Sequence, residues 1–358
     1  MGTVRFSRRW VPAIVAPIVV AAGVVITPAL ANAAAVPPQK TAAQVLDLIA
    51  AGQDAHYSGT VRQSSDLGLP QLPDSTTSTV PGGTSAAGLL ELATGSHSAR
   101  VYVDGATRQR VQVLDTLSER DVIRNGTTVW TYDAQQRTAT HATLDVGAHD
   151  LPLPTTPADA ADRLIAAITP TTSVSVTRST DLGRGVYELR LTPKTSATLV
   201  ADAVITVDAN TGVPLAARID ARGQSTPAVQ VAFSSIDFAQ PAADIFSFTP
   251  PKGTTVTDRT LTRPTGHTST EHKGVKSPPH ATMPKPTVIG TGWASVIEVP
   301  GRGAMSALGG DAALLNELTR PVAGGRMLQT SLITVYLRGD GTVFAGAVPS
   351  SALLSAAQ

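Results

Sequence analysis

The spacing of apolar residues along the chain alternates between two periods. Thr41 to Ala55 places Ala42, Val45, Leu46 and Ile49 on one face at helical spacing, with Thr41 positioned to cap the start. From His56 to Gln63 the period falls to two, and Tyr57, Gly59 and Val61 share a face. Ser65 to Gly95 loses periodicity and is rich in Pro, Ser, Thr and Gly, which predicts a long irregular insertion. Its leucines (Leu67, Leu69, Leu72, Leu89 and Leu90) have no periodic partner, so a lid over an apolar face and a disordered excursion both fit.

Ala99 to Thr143 predicts a β-meander. Val101 and Val103 alternate with polar neighbours up to Asp104-Gly105, and Val111 and Val113 continue the pattern. Asn125-Gly126 predicts a type I′ hairpin turn, and Val129, Trp130 and Tyr132 begin the return strand. Thr156 as cap and Pro157 at the first helical position predict a second helix through Ile168, with Leu164, Ile165 and Ile168 facing inward. A second meander follows. Tyr187, Leu189 and Leu191 share one face, Ala203, Ile205 and Val207 another, with Ile219, Val231 and Phe233 on later strands. Thr257 to Pro286 has almost no apolar bulk and reads as a linker. Beyond it the pattern predicts a small α+β domain. It has a helix over Asp311 to Thr319, then a hairpin of Met327–Leu337 and Thr342–Ala347 across Gly339-Asp340-Gly341.

The first residues change the picture from a plain globular chain to an exported one. Arg5, Arg8 and Arg9 precede Val11 to Leu30, which carries no charge, and Ala31-Asn32-Ala33 offers the small residues of a leader-peptidase site, with cleavage between Ala33 and Ala34. An uncleaved anchor is the competing reading, because about 20 apolar residues can span a bilayer. The organisation read from the sequence is therefore a signal peptide at 1–33, a main domain at 34–258, a polar linker at 259–286 and a small domain at 287–358.

Composition narrows the chemistry. With 28 basic and 27 acidic residues there is no net field to attract nucleic acid or anionic lipid. No cysteine is present, which excludes thiol nucleophiles, lipidation at a lipobox and disulfides. The His residues show no metal-ligand spacing on a common element, and no G-x-S-x-G elbow, phosphate loop or acid/base pair can be picked out. The expectation is a non-enzymatic protein with no cofactor.

Three segments, in order, carry a resemblance: Arg124-Asn125-Gly126-Thr127-Thr128-Val129-Trp130-Thr131-Tyr132-Asp133, then Leu189-Arg190-Leu191-Thr192-Pro193-Lys194, then Phe246-Ser247-Phe248-Thr249-Pro250-Pro251-Lys252-Gly253. Together with His56–Val61 and Arg108–Arg124, they make the stretch from Thr41 to Asp258 similar to the LolA/RseB family of periplasmic lipoprotein carriers and sigma-E regulators. The stretch Asp104-Gly105-Ala106-Thr107 lacks the Arg and aromatics that the carriers place there, so no functional residue is carried over. The resemblance implies an α+β fold: an unclosed antiparallel β-barrel with helices across its mouth, enclosing an apolar cavity. It implies lipid or lipoprotein acyl chains as ligands, and a membrane-bound anti-sigma factor or ABC transporter as protein partner. On that reading the candidate cavity lining is Val101, Val103, Val111, Val113, Trp130, Tyr132, Leu189 and Leu191. A solid core at the same positions is the alternative.

Overall fold

A computed structural model describes residues 36–69, 94–114, 119–144, 156–166, 168, 170–261, 286–301 and 318–358. The signal segment, residues 70–93 of the insertion, residues 262–285 of the linker and residues 311–317 of the expected C-terminal helix lie outside the described residues.

The meanders form one sheet of twelve strands: β1 (His56–Asp66), β2 (Thr94–Asp104), β3 (Arg108–Leu114), β4 (Glu119–Asn125), β5 (Thr128–Asp133), β6 (Thr138–Leu144), β7 (Thr172–Asp181), β8 (Arg184–Pro193), β9 (Val200–Asp208), β10 (Pro214–Ala221), β11 (Pro227–Asp237) and β12 (Thr255–Leu261). The spatial order is β12-β6-β5-β4-β3-β2-β1-β11-β10-β9-β8-β7, so β12 and β7 are open edges and the barrel does not close. The ladder is antiparallel except where β12 lies parallel to β6. Residues 259–261, assigned to the linker by composition, are thus the end of a strand.

Helix α1 (Ala42–Ala51) is shorter than the spacing predicts, because a 3-10 turn over Gly52–Asp54 takes the chain into β1. Its start is a capping box: Gln44 N–H donates to the Thr41 hydroxyl (3.3 Å), and Thr41 N–H donates to Gln44 Oε1 (2.9 Å). Helix α2 (Pro157–Ala166) is capped likewise by Thr156 and Asp159. Both helices lie on one face of the sheet, α1 against β7 and β8 and α2 against β9 to β11. The core sits between them, built from Val45, Ile49, Ala161 and Leu164 above and Tyr187, Leu189, Ile205, Leu215 and Val231 below. Gly212 allows the close approach. It has φ +76°, and a Cβ there would lie 2.0 Å from the Leu48 carbonyl oxygen.

Two turns differ from expectation. Asn125 pairs with Thr128, so the two-residue loop is Gly126-Thr127, and only Gly126 has positive φ. Glycine at the first central position fits type II′ and not type I′. The tight loop with both central residues at positive φ is instead Leu182-Gly183, joining β7 to β8.

The second sheet has six strands in the order β13-β14-β18-β17-β16-β15: β13 (Thr287–Ile289), β14 (Val296–Val299), β15 (Arg320–Val322), β16 (Gly325–Gln329), β17 (Thr334–Arg338) and β18 (Val343–Gly346). Helix α3 (Ser350–Ala356) covers one face, with Leu353 packed on Val296, Met327, Tyr336 and Phe344. Met327–Leu337 is not one strand. Thr330 breaks it, its hydroxyl accepting from Leu332 N–H (3.2 Å) and Ile333 N–H (2.8 Å), which turns the chain between β16 and β17.

Candidate functional site

In a sheet, cross-strand partners share a face and sequence neighbours alternate. Val101 is opposite Val111, and Val111 opposite Val122; Val103 is opposite Tyr57 and Val113 opposite Ala99. All of these point to the helix side, the inner face, together with Leu189 and Leu191. Trp130 is opposite Ile123, which is opposite Arg110, which is opposite Tyr102. Trp130 and Tyr132 therefore belong to the outer face. Six of the eight candidate residues come together, and the two aromatics do not.

On the inner face Val101 and Val111 are 1% exposed and Leu189 and Leu191 0%, closed over by helices and neighbouring strands. Val103 and Val113 are half-buried at the same core. On the same face Val122, Val129 and Ala142 of β4 to β6 form a separate apolar cluster, with Gln109, Arg120 and Arg124 between it and this core. Tyr57 reaches into the core beneath α2, and burial, with Asp159 and Asp162 nearby, pushes its phenol well above the ordinary range.

The outer face of β2 to β6 is covered by the segment that follows β11. This segment crosses the strands and delivers β12 to the far edge. Gln240 reaches Asp104 (3.3 Å), the Arg110 guanidinium donates to the Ile245 carbonyl (3.2 Å), and Phe246 is 1% exposed. Phe248 packs on Trp130 and Tyr132, with ring centroids 5.5 and 5.3 Å apart. Trp130 also stacks on His141 (4.5 Å), whose Nδ1 meets Asp258 Oδ1 of β12 at 2.9 Å. The F-x-F-x-P-P-x-G segment thus acts as a strap, and Phe248 is what the two aromatics serve. The sequence shows these residues but not their pairing, because 118 and 116 positions separate Phe248 from Trp130 and Tyr132.

Beneath the strap Asp121 is buried with Arg110, and one of its carboxylate oxygens has no partner. Burial outweighs the arginine and pushes the acid above the usual carboxylate range. Asp208, at the β9–β10 turn, behaves oppositely. Burial raises it, but Arg184 and the backbone and hydroxyl of Thr211 together hold it below that range.

Elsewhere Arg190 pairs with Asp202 (2.6 Å) and Arg218 with Asp220 (3.2 Å). Among the described residues no three His, Cys, Asp or Glu side chains converge as a metal site, and no helix is long and apolar enough to cross a membrane.

The second sheet is docked on the first. Leu332, at the β16–β17 turn, packs with Leu67, Val200, Ala221 and Ala228. Ser331 N–H donates to the Leu67 carbonyl (3.1 Å), Leu199 N–H to the Ala347 carbonyl (2.8 Å), and Trp293 Nε1 to the Thr172 hydroxyl (2.8 Å). Leu67, unpartnered in the sequence, finds its partner here.

No family model and no curated protein matches the chain. Among solved structures it is similar to the MucA/MucB complex of Pseudomonas aeruginosa, at 13% identity and a TM-score of 0.42 over 88% of this chain and 96% of that one. It is also similar to an uncharacterized conserved protein from Thermus thermophilus, at 12% identity and 0.35 over 61% of this chain and 99% of that one. A LolA superfamily protein from Nitrosomonas europaea matches at 11% identity and 0.24, over 59% of this chain and 99% of that one.

Proposed function

We propose that this chain is an exported, non-enzymatic binding protein that shelters an acyl chain, of a lipid or a lipidated protein, on the inner face of its open sheet. The observation that supports it is that this face carries a second apolar cluster, apart from the core under the helices, with Gln109, Arg120 and Arg124 between the two. Valine, leucine, isoleucine and alanine side chains line it from β8 to β3, and Val122, Val129 and Ala142 form the second cluster on β4 to β6, beyond the strands on which the two described helices pack. Ligand would enter beside α2 and lie along Val101 and Val111, displacing the apolar side chains packed on them. Each buried CH2 contributes about 0.8 kcal/mol, so a partly enclosed chain is held firmly. The test is displacement of a fluorescent fatty acid from the purified mature protein, together with native mass spectrometry of protein from its own host. One acyl ligand per chain is the expected result, and no binding at tens of micromolar probe ends the reading. N-terminal sequencing of the exported protein is expected to begin near Ala34.

A second reading, a sensor that passes ligand occupancy to a membrane protein, is favoured by the docked second sheet. Its Ser331–Leu332 turn holds Asp66 and Leu67, where β1 leads into the insertion. A sensor requires that ligand change the affinity for the partner, an anti-sigma factor or transporter, and that the partner change ligand affinity by the same factor. Equal partner recovery with and without lipid leaves only the carrier.

A further inference from the structure

The sheet edges of the described residues are not equally protected. Natural sheets blunt an edge with charge, proline or shortness, since an unpaired row of N–H and C=O groups templates another strand. Edge β12 carries Asp258 and Arg259 near its centre, β15 contains Pro321, and β13 has three residues. Edge β7 is ten residues long, has no proline or glycine, and keeps its charges to Arg178, held by the Pro37 carbonyl (3.2 Å), and Asp181, so that Thr172 to Thr177 carries none.

Its free groups can be identified. Lys194 N–H donates to the Thr171 carbonyl (2.9 Å), and the same register runs on through Thr172 opposite Pro193. Bonded and unbonded pairs alternate in an antiparallel ladder. Ser173, Ser175, Thr177, Ser179 and Asp181 therefore bond to β8, and Pro193, with no N–H, falls at an unbonded pair. Val174, Val176, Arg178 and Thr180 turn their N–H and C=O groups to the open edge, where β7 has no neighbouring strand among the described residues.

We propose that β7 is a docking edge for an extended segment of a partner protein, added as a thirteenth strand. Side chains fix the chemistry of that segment. On the inner side Val174 and Val176 lie half-buried at the core, so its residues at alternate positions there are apolar. On the outer side it meets the hydroxyls of Ser175, Thr177 and Ser179. Beside Thr180 and Asp181 a cavity of about 330 Å³ opens on the outer face, lined also by Glu188 and Arg218. Arg218 is held by Asp220, leaving Asp181 and Glu188 to select a cation. Antiparallel addition, the commoner arrangement, places that lysine or arginine near the segment's N-terminus. This inference rests on the sheet edge and is independent of acyl binding.

The probe is a capped synthetic peptide of alternating valine and threonine with one lysine near its N-terminus, added to the full mature chain. Hydrogen exchange is expected to slow at the amides of Val174, Val176, Arg178 and Thr180, while Ser175 and Thr177, already bonded to β8, stay unchanged. Val176→Pro deletes one outward donor without removing a β8 bond and is expected to weaken the peptide about tenfold. Because proline also restricts the strand's own backbone, the independent variant is Glu188→Lys with Asp181→Lys, which should reverse the preference from a lysine to a glutamate peptide. Unchanged exchange at saturating peptide overturns the proposal. So does protection of the four amides that appears without peptide and rises with chain concentration, since that assigns the edge to a second copy. Fatty-acid displacement measured alongside keeps failure here distinct from failure of the acyl reading.

Discussion

In the β7–β11 half of the large sheet the helices cover the inner face, and the outer face is polar. In the β2–β6 half the strap after β11 covers the outer face, pinned by Phe246 and Phe248. The strands show why. On β8, Tyr187, Leu189 and Leu191 point inward and Glu188 and Arg190 outward. On β5, Val129 points inward, and Trp130 and Tyr132, the bulkier pair, point outward. A half-barrel of this kind needs apolar cover on whichever face carries its largest side chains, and that face changes round the sheet.

The comparison breaks first at Leu189. If the inner face under the helices is solid core, Leu189→Asp leaves an unpaired buried charge and costs about 4 kcal/mol or more. The expected result in urea denaturation is a largely unfolded domain. Retention of a cooperative transition near that of the parent would show that the site opens to water, as a cavity does.

Phe246→Ala tests the other half. Removing a fully buried phenylalanine costs about 3 kcal/mol, here spent where the strap meets β3 to β6. Hydrogen exchange should quicken in β3 to β6 and β12 while β8 to β10 keep their protection. Uniform loss across all twelve strands would mean that the two halves unfold as one unit.

Much of this was legible in the sequence. Period-two runs located the strands, and Thr41, Thr156 and Pro157 marked the helix starts. What alternation cannot say is which of a strand's two faces is the inner one. That depends on register, and register is set by loops such as Gly126-Thr127 and by partners far along the chain. Trp130 and Tyr132 were placed with Val101 and Leu189 for this reason, and one step along the strand separates the faces. The strap was visible as a motif, but its target was not, since nothing local links Phe248 to Trp130. The Met327–Leu337 break was hidden because Thr330 has good strand propensity and acts through a local hydroxyl.

The two buried acids sharpen the comparison further, with opposite signs. Asp121, under the strap, is raised by burial. Its contribution to stability is present below the ordinary carboxylate pKa of about 4 and lost as pH rises through the raised value. Asp208 is lowered, so its contribution is present above that ordinary value and lost as pH falls through the depressed one. Urea midpoints for Asp121→Asn and Asp208→Asn, each compared with the parent at about pH 3 and about pH 6, should diverge in opposite directions. Relative to its Asn variant, the parent loses ground on the Asp121 side as pH rises and gains it on the Asp208 side. Parallel slopes would remove the distinction between an acid isolated by burial and one satisfied by Arg184 and Thr211.

The smallest effect is expected at the β7–β8 turn, and it bears on the open edge. Leu182 has φ +48° and is 37% exposed, so its side chain contributes little packing while its backbone is held in the left-handed region. For an ordinary L residue that conformation costs about 1–2 kcal/mol, and asparagine tolerates it better. Leu182→Asn is therefore expected to stabilise the chain by about 0.5–1 kcal/mol, raising the urea midpoint without changing the slope. The register of β7 on β8 is closed by this turn, so the gain should appear as slower exchange at Ser179 and Asp181, the bonded positions next to it. Val176 and Thr180 should still exchange quickly, because their amides face away from β8. If Leu182→Asn also protected Val176, the edge would not be free in the parent chain, and the distinction between the strapped half and the open half would fail at its outermost strand.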